Sequence, residues 1–452
     1  MMDQARPAAE LGTPSLLQRW GLLLVIFGAV LLRLALTPLY ANLPDGLLDE
    51  GFWTHWMDVI HQHGVLNIFR ESDTDYVGYH WVLWVLDLVY APFGDRYDPH
   101  SPGLHLLVKI PPIIFDAVLI VTVYYAMKTL IAAAAPEVPD REARWLPLIA
   151  AGVIAFHPAV VYDSAVWAQT DAAIAAAMLG ALLLVHRDAP AAGGVAYGLG
   201  LAVKPQPIII APLLLLALIR RGGWRATALF AAAIALVAVV VLGPWLIHGE
   251  AERIWDVYRT LFNQDRQRLS ELAWNQWWIV DQAGDPRSAS AVFGAIPALT
   301  YERLALMLSA LATFLGLAYA WRRPGFAAVL VAAAYQAFAF YMLPIGSHER
   351  YLYPFFALLL PVALLDRRWL ALYIPASVTF FLNLVIVAPP LDALEDRWVY
   401  GEAGVTVAAI NTVLFASFTA VVLLETLRTP RPSAVRADAR STSALARSGA
   451  QT

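Results

Sequence analysis

Two adjacent acids close behind the first apolar segment are the residues best suited to acid–base chemistry. Asp49 and Glu50 open the stretch "DEGFWTHWM", in which polar and aromatic side chains are mixed. A carboxylate near a membrane surface, partly withdrawn from water, is suited to remove a proton from a hydroxyl group. We therefore predict that Asp49 is a general base and that Glu50 and His55 line its site. The plainer interpretation is a solvated loop that begins with two acids.

A second group of polar residues lies at the junction of two apolar segments, in "VYDSAVWAQTDAAIAA". Asp171 opens the following apolar run, so a helix N-terminal cap would explain it without any catalysis. Trp167 and Gln169 are harder to explain, because a tight turn between two membrane helices requires neither. We predict that these three residues contact the substrate.

The stretch "GLGLAVKPQPIIIAP" places a lysine at a break between two short apolar segments. Each segment holds about a dozen residues and spans roughly 20 Å as a helix, which is short of the ~30 Å apolar core of a bilayer. A lysine at that depth normally faces a cavity or an anion. We predict that Lys204 binds an anion and that Gln206 lies beside the ligand. The alternative is that Lys204 extends its ammonium group to the lipid headgroups.

A short turn between two later apolar segments carries two basic side chains, in "MLPIGSHERYLYPFF". A simple hairpin would use Gly, Asn or Ser at these positions. The planar guanidinium group of Arg350 suits a phosphate, and His348 can donate a further hydrogen bond. Together with Lys204, these residues predict a phosphate-binding site at one face of the membrane.

Two further motifs carry weaker signals. In "QRLSELAWNQWWIV", Asn275 and Trp277 suit hydroxyl binding and stacking on a sugar, although aromatic residues at a membrane interface are usually anchors. In "KIPPIIFDAVL", Asp116 lies inside an apolar run and should face the protein interior. A structural ion pair with Arg33 is as good an explanation of Asp116 as a catalytic role.

The composition is that of a polytopic membrane protein. The chain is 60% hydrophobic and 15% charged, whereas a soluble domain is about half apolar and a quarter charged. There are no cysteines, which excludes disulfides, thiolate catalysis and Cys-ligated metals. No Gly-rich phosphate loop, HExxH or Gly-x-Ser-x-Gly motif occurs, so nucleotide-binding, zinc-protease and serine-hydrolase functions have no support.

The apolar residues form about twelve segments long enough, or nearly so, to cross a bilayer. We place them at 20–40, 109–131, 146–162, 170–186, 190–203, 207–219, 226–247, 302–321, 325–344, 351–365, 369–388 and 403–425. The first has no small-residue cleavage site after it, so we interpret it as a retained span and not as a signal peptide.

The loops between these segments differ in length and charge. One set is short and rich in arginine, and the positive-inside rule places it, with both termini, in the cytoplasm. Two longer loops, 42–108 and 248–301, would lie outside, and the first holds two expected interfacial helices, about 52–63 and 79–90. The arginine-bearing segment 428–452 has no apolar period and is expected to be a disordered cytoplasmic tail.

These motifs occur in an order that resembles the GT-C superfamily of membrane glycosyltransferases, which take sugars from polyprenyl-phosphate carriers on the non-cytosolic face. The resemblance rests on "LDEGFWTHWM", "KIPPIIFD", "WAQTD", the glycine-rich span that ends in "KPQ", "AWNQWW" and "HERY". It covers nearly the whole chain except the tail. The first motif is similar to that of the glucosyltransferases that extend lipid-linked oligosaccharides, and closer still to bacterial mannosyltransferase-like relatives.

The resemblance implies an all-α membrane protein: a polytopic bundle of about twelve transmembrane helices with the GT-C fold and a large first external loop. It implies that Asp49 is the general base and that His348 lies near the carrier phosphate, with Arg350 in the place of another basic residue. Thr54 stands where the superfamily commonly has an arginine. Some branches use a divalent metal; we expect no metal and no other cofactor here.

We therefore expect residues 1–427 to form the catalytic domain of an inverting glycosyltransferase in the plasma membrane, with its active site outside the cytoplasm. It would move a hexose, mannose or glucose, from a polyprenyl-phosphate carrier to a hydroxyl of a glycan, lipid or protein acceptor. The alternatives are a flippase or other transporter of lipid-linked sugars and a non-catalytic assembly scaffold. The expected sugar- or acceptor-binding residues are Glu50, His55, Trp167, Gln169, Asp171, Gln206, Asn275 and Trp277.

Overall fold

The structure is a computed structural model. It describes residues 16–39, 42–43, 46–47, 49–93, 97–98, 101–133, 139–263, 268–282, 290–294, 296, 298–388 and 401–428. The predicted disordered tail lies outside the described residues, apart from Arg428.

Helices make up nearly all of the described chain. Those of the first half are α1 (Leu16–Leu36), α2 (Asp49–His63), α3 (Ile68–Glu71), α4 (His80–Tyr90), α5 (Pro102–Ala133), α6 (Asp140–Ala155), α7 (Pro158–Ala165), α8 (Asp171–His186) and α9 (Pro190–Val203). Those of the second half are α10 (Ala211–Ile247), α11 (Ala251–Asn263), α12 (Gln276–Gln282), α13 (Tyr301–Arg322), α14 (Phe326–Met342), α15 (Tyr353–Ala363), α16 (Arg367–Val387) and α17 (Glu402–Leu427).

Short 3₁₀ turns and two-residue strands connect some of these helices. The turns lie at Val65–Asn67, Val77–Tyr79 and Gln206–Ile210. Strand β1 (Asn42–Leu43) pairs antiparallel with β2 (Gly46–Leu47), and β3 (Ser270–Glu271) pairs parallel with β4 (Ser347–His348). The second pair joins the loop before α12 to the loop before α15.

The described helices include five that are long and apolar enough to cross a membrane, or six if the bent pair α6–α7 is one span. Five more are apolar but shorter, at Trp20–Leu36, Asp171–His186, Pro190–Val203, Phe326–Met342 and Tyr353–Ala363. The chain is therefore an all-α, multi-pass membrane protein. The number of twelve spans stays a prediction, because the shorter helices fall below the length that an unaided span requires.

The longest helix changes direction at a glycine. Helix α10 would measure about 55 Å if it were straight, well beyond the ~30 Å apolar core. At Gly223 the backbone leaves the helical region, with φ of 60° and ψ of −152°. Glycine reaches this positive φ without steric cost. The break falls in the arginine-bearing loop expected between segments 207–219 and 226–247.

A buried ion pair ties the first helix to the centre of the bundle. Arg33 Nε lies 2.5 Å from Asp116 Oδ2, and both side chains are buried. The Arg33 guanidinium also donates to the backbone carbonyl oxygen of Ala155, at 2.9 Å, while the Tyr353 hydroxyl donates to Asp116, at 3.3 Å. Of the two explanations left open for Asp116, the structure shows the ion pair with Arg33, which connects α1, α5, α6 and α15.

The first long loop folds into a compact layer on the bundle. Helices α2 and α4 bury an aromatic cluster centred on Trp53, which packs edge-on against Trp56, Tyr76 and Tyr79. The interfacial position predicted for these two helices is not tested, but their ranges lie close to the predicted ones.

The end of α10 and the residues directly after it hold this layer in place. The Trp245 indole donates to the carbonyl oxygen of Val65 at 2.9 Å, and Trp81 donates to that of Val241 at 2.9 Å. Arg70 forms an ion pair with Glu250, which is fully buried. The two long loops therefore form one layer at one end of the bundle.

Arginine side chains gather at the opposite end. Arg368 pairs with Glu425 at 2.5 Å, and Arg323 donates to the backbone carbonyl of the same residue at 2.7 Å. Arg221 pairs with Asp188 at 3.0 Å, just beyond the end of α8. The bundle thus has one end rich in arginine and one end covered by the two long loops.

Candidate functional site

Several of the polar residues singled out in the sequence meet where a number of helix ends converge beneath the first long loop. The ends of α7 and α9 and the starts of α2, α8 and α15 contribute to this site. Its side chains come from segments far apart in the sequence, and most of them are buried.

A lysine–aspartate pair lies at the centre of the site. The Lys204 ammonium nitrogen is 3.1 Å from Asp171 Oδ1 and 3.1 Å from Gln169 Oε1. Asp171 is the first residue of α8 and Lys204 directly follows α9. Both side chains are almost fully buried. The alternative explanation of Asp171 as a helix N-cap is not seen: the N-cap is Thr170, and the Thr170 side chain makes no capping hydrogen bond.

Arg350 faces the same carboxylate from the loop before α15. Its Nε is 3.9 Å from Asp171 Oδ2, while its Nη1 donates to Glu349 Oε1 at 2.6 Å. The guanidinium carbon lies 5.9 Å from the ring centre of Trp167. The two cations, Lys204 and Arg350, therefore converge on Asp171.

Tyr76, in the first long loop, covers this pair of cations. The Lys204 ammonium lies 5.1 Å from the centre of the Tyr76 ring. Burial raises the pKa of the Tyr76 hydroxyl, and the cations of Lys204 and Arg350 oppose this shift. The carboxylates of Asp49 and Asp171 act in the same direction as burial. Asp49, at the start of α2, thus lies within electrostatic range of the cation site.

The segment between α7 and α8 is held in an unusual backbone conformation. Ala168 has φ of 59°, which a residue with a side chain rarely adopts. Its carbonyl oxygen accepts a hydrogen bond from the Trp53 indole at 3.1 Å. The backbone N–H of Gln169 donates to the backbone carbonyl oxygen of Asp163 at 2.9 Å. These contacts fix the directions in which Trp167 and Gln169 point.

Several buried polar atoms at the site have no hydrogen-bond partner among the residues described. They are Trp167 Nε1, Gln169 Nε2, Thr170 Oγ1, Asp171 Oδ2, Gln206 Oε1 and Arg350 Nε. Buried polar groups are normally paired, so a concentration of spare donors and acceptors calls for an explanation. A polar ligand that contacts both donors and acceptors would satisfy them.

Gln206 and His348 lie at the edge of the site. Gln206 donates from Nε2 to the backbone carbonyl of Tyr351 at 3.3 Å. The His348 ring centre is 5.1 Å from that of Tyr351, and its Nδ1 is 3.9 Å from Glu349 Oε2. About a quarter of the His348 side chain is exposed (27%), in contrast to the more buried Arg350 (13%).

Glu50 and His55 do not join this group. Glu50 is buried with Lys109, at 3.0 Å, and with His105, and this arrangement occupies its carboxylate. His55 is exposed, and its Nε2 lies 3.3 Å from the Ser72 hydroxyl. The structure therefore gives Glu50 a place in a packing contact between α2 and α5, and not beside Asp171.

Asn275 and Trp277 belong to a different part of the bundle. Asn275 accepts hydrogen bonds from the amides of Trp277, at 3.0 Å, and Trp278, at 3.3 Å, and donates to the carbonyl oxygen of Tyr341 at 2.9 Å. The Trp277 indole donates to the carbonyl oxygen of Leu343 at 2.9 Å. Asn275 thus caps α12, and these contacts explain both residues without a ligand.

Metal ligands are not grouped in the described part of the chain: it holds no set of three His, Asp or Glu side chains placed to bind an ion.

Two residues that the sequence left out of the predicted site lie close to it. Tyr76 follows the acid-rich stretch "ESDTD", which offers no periodic signal. Asp163 belongs to the motif "VYDSAVWAQTDAAIAA", and its electrostatic interaction with Asp171 and Asp116 shows that it lies near the site.

The fold and the site define a class: a multi-pass membrane protein with buried cations and a nearby carboxylate at one end of its helices. Comparison with known proteins agrees with this class, since the model of glycosyltransferase family 87 matches residues 102–345, more than half of the chain. The chain belongs to glycosyltransferase family 87 and is a membrane glycosyltransferase of the GT-C type. No curated protein matches it. The matched region includes Asp171 and Lys204, whereas Asp49 and Arg350 lie outside it.

Proposed function

We propose that the chain is an inverting glycosyltransferase that moves a hexose from a polyprenyl-phosphate carrier to an acceptor hydroxyl on the extracytoplasmic face of the plasma membrane. The observation that carries this proposal is the convergence of Lys204 and Arg350 on one buried carboxylate, Asp171, with Asp49 in electrostatic range.

The two cations suit a phosphodiester. A buried ammonium and a buried guanidinium group are costly unless they face negative charge, and a phosphate oxygen supplies that charge with hydrogen-bond acceptors. In the described structure, Arg350 Nε has no hydrogen-bond partner, and the Lys204 ammonium has two acceptors for its three hydrogens. Both groups can therefore accept a ligand. His348, at the edge, would add a third contact to the phosphate.

The chemistry follows from this arrangement. Asp49 removes the proton from the acceptor hydroxyl as the oxygen attacks the anomeric carbon from the face opposite the phosphate. The bond between that carbon and the phosphate oxygen breaks, and the carrier phosphate leaves with the bonding electron pair. Lys204 and Arg350 stabilise the charge that develops on the leaving oxygen, which is where preorganised cations lower a barrier most.

The segment Trp167–Asp171 would bind the sugar. Its spare polar atoms include a donor on Trp167, a donor on Gln169 and an acceptor on Asp171, and Gln206 adds a second acceptor. Sugar hydroxyls donate and accept, so they match such a mixed set. The constrained backbone at Ala168 fixes these groups before the ligand arrives.

The distribution of arginine supports the assignment of the site to the outer face. Arg221, Arg323 and Arg368 lie at the end of the bundle opposite the site. Because short loops rich in arginine normally stay in the cytoplasm, the site end would face outward. A lipid carrier would then reach the cations from the outer leaflet.

The test uses Asp49→Asn, with Asp58→Asn as a matched control. Both residues lie on α2. Among the described residues, the hydrogen-bond partner of Asp58 is Gln62, one turn further along the same helix, at 2.9 Å. Purified protein is given polyprenyl-phosphate mannose or polyprenyl-phosphate glucose with a lipid extract of the native membrane, and release of polyprenyl phosphate is measured. We expect Asp49→Asn to reduce the rate about 10²- to 10⁴-fold and the control to leave it unchanged.

Full transfer by Asp49→Asn would exclude Asp49 as the base. Movement of either lipid across vesicle membranes without release of polyprenyl phosphate would instead favour the alternative function, a transporter of lipid-linked sugars.

A further inference from the structure

Asp163 is a buried carboxyl group that the mechanism above does not use. It lies on α7, one turn before the site segment, and its side chain is fully buried. Neither carboxyl oxygen has a hydrogen-bond partner anywhere in the described ranges. Other buried carboxylates nearby, such as Asp116, have a cation within reach.

The charged groups with an electrostatic effect on Asp163 come from α5, α8 and the segments just after α9 and just before α15. Asp171 has the largest electrostatic effect on it, followed by Lys204, Asp116 and Arg350. The Tyr353 hydroxyl, from α15, lies in the same group and donates to Asp116.

The cations of this group already face other carboxylates. Arg33 pairs with Asp116, and Lys204 pairs with Asp171. Arg350 contacts Glu349 closely and Asp171 at longer range. No described cation is therefore left to pair with Asp163.

An ionised carboxylate in such a place would be costly. Moving a charged carboxylate out of water without a partner is so unfavourable that the group takes up a proton instead. Two carboxylates side by side add repulsion, and a single proton shared by such a pair removes it. A neutral acid at Asp163 also becomes a hydrogen-bond donor, which an ionised one is not.

We propose that Asp163 is a resident carboxylic acid that donates its O–H to the Asp171 carboxylate when Lys204 leaves Asp171 for the donor phosphate. The proposal rests on the proposed function, because that function supplies the phosphate. No covalent bond changes in this step: the ammonium group exchanges one oxyanion for another, and the proton stays on Asp163.

The exchange explains how the site can accept an anion at all. Lys204 and Arg350 are held by carboxylates, so an incoming phosphate must compete with Asp171 for them. An Asp171 side chain left buried without a partner would oppose binding, since an unpaired buried charge is strongly destabilising. A hydrogen bond from Asp163 lowers that cost, and Asp163 is thereby a positioning residue for Lys204.

The first experiment examines the substrate-free protein by infrared difference spectroscopy. The carbonyl band of a protonated carboxylic acid should be present in the wild type and absent in Asp163→Asn, which keeps the shape of the side chain. Asp188→Asn, which removes an exposed aspartate of a surface ion pair, is the control and should retain the band. If Asp163→Asn loses no protonated-acid intensity, the proposal is overturned, whatever the protein's activity.

The second experiment measures the binding of farnesyl phosphate. Asp163→Asn can still donate a hydrogen bond, so its Kd should stay close to that of the wild type, whereas Asp163→Leu cannot and should bind about tenfold more weakly. Thermal unfolding verifies that both variants fold. Equal weakening in both variants, or none in Asp163→Leu, would overturn the proposal.

Addition of farnesyl phosphate should also shift the infrared band of Asp163, because its O–H gains an acceptor. Binding without any shift would overturn the exchange and leave the proposed function intact. No binding by the wild type would overturn the proposed function itself, and with it the exchange.

Discussion

Lys109 and Lys204 are both buried beside a carboxylate, yet their surroundings differ. Three oxygens surround the Lys109 ammonium: it donates to the carbonyl oxygens of Thr37, at 2.9 Å, and Leu39, at 2.6 Å, and forms an ion pair with Glu50 Oε1 at 3.0 Å. These oxygens equal its three hydrogens in number. Lys204 has two acceptors, and its neighbours carry spare polar atoms.

The difference separates a structural ion pair from a binding site. A network in which every donor has its acceptor adds rigidity and has no capacity for a ligand. A network with spare capacity, buried and next to a second cation, gains stability when an anion enters. Burial and charge alone do not distinguish the two lysines, since both are buried next to an acid.

The largest effect is expected from Lys204→Met compared with Lys109→Met. Loss of the Lys204 charge removes transition-state stabilisation, so kcat/KM should fall about 10²- to 10³-fold. Lys109→Met instead leaves Glu50 with a buried, poorly compensated charge, and should lower the free energy of unfolding by about 3–5 kcal/mol. Turnover by the folded fraction and thermal unfolding in detergent measure the two effects.

The opposite pattern of effects would contradict the assignment of Lys204 to the binding site and of Lys109 to a structural ion pair. Loss of turnover in folded Lys109→Met, with little change in Lys204→Met, would make Lys109 the binding residue.

Asp171→Asn and Glu50→Gln apply the same comparison to the acids. The amide of Asp171→Asn no longer competes with phosphate for Lys204, so the variant should bind farnesyl phosphate up to about tenfold more tightly. Glu50→Gln should lower the unfolding temperature and leave farnesyl phosphate binding unchanged. Titration with farnesyl phosphate and thermal unfolding distinguish them.

Glu50→Gln also tests the sequence prediction that Glu50 binds the acceptor. A raised KM for the acceptor, with normal stability, would support that prediction against the structural assignment.

Asn275→Ala applies the comparison to a polar residue that lies near neither Lys109 nor Lys204. Because Asn275 caps α12 with satisfied hydrogen bonds, its loss should reduce stability by about 0.5–2 kcal/mol. The KM for the donor should not change. A higher donor KM in a variant of normal stability would return Asn275 to the sugar site predicted from the sequence.

The smallest effect is expected from Tyr76→Phe. Within the described ranges, no aromatic ring lies over Lys109 as Tyr76 lies over Lys204. Phenylalanine keeps the ring of Tyr76 and removes its hydroxyl. Since burial raises the pKa of Tyr76, the hydroxyl stays protonated at neutral pH and acts only as a hydrogen-bonding group. The rate should fall less than about tenfold, and its pH profile should not move. A displaced alkaline limb would show that Tyr76 titrates during turnover.

Much of the architecture follows from the sequence because long apolar segments have few alternatives in a bilayer. The predicted segment 302–321 corresponds to α13, Tyr301–Arg322, and segment 403–425 lies within α17, Glu402–Leu427. Whether the shorter helices are full spans stays a prediction, since the burial of a helix such as α9, Pro190–Val203, depends on its neighbours.

The site was partly predictable for a similar reason. Lys204 and Asp171 are anomalous in apolar surroundings, and any such residue is a candidate. Glu50 is likewise a charged residue close to an apolar segment. The sequence contains no signal that its carboxylate would form ion pairs with His105 and Lys109. The partner of a buried charge is set by packing between helices, which spacing along one chain does not specify.

The contacts of the first long loop with the end of α10 and the start of the second long loop bear on how the protein is made. Val65 and Arg70 find their partners in Trp245 and Glu250, 180 residues further along the chain. At about 5–20 residues per second, the ribosome needs roughly 10–40 s to synthesise that interval. Throughout it, the first loop carries aromatic side chains, such as that of Trp81, that Trp245 of α10 has yet to cover. Biogenesis therefore includes a waiting period, in which membrane insertion of the central helices must finish before the site can assemble.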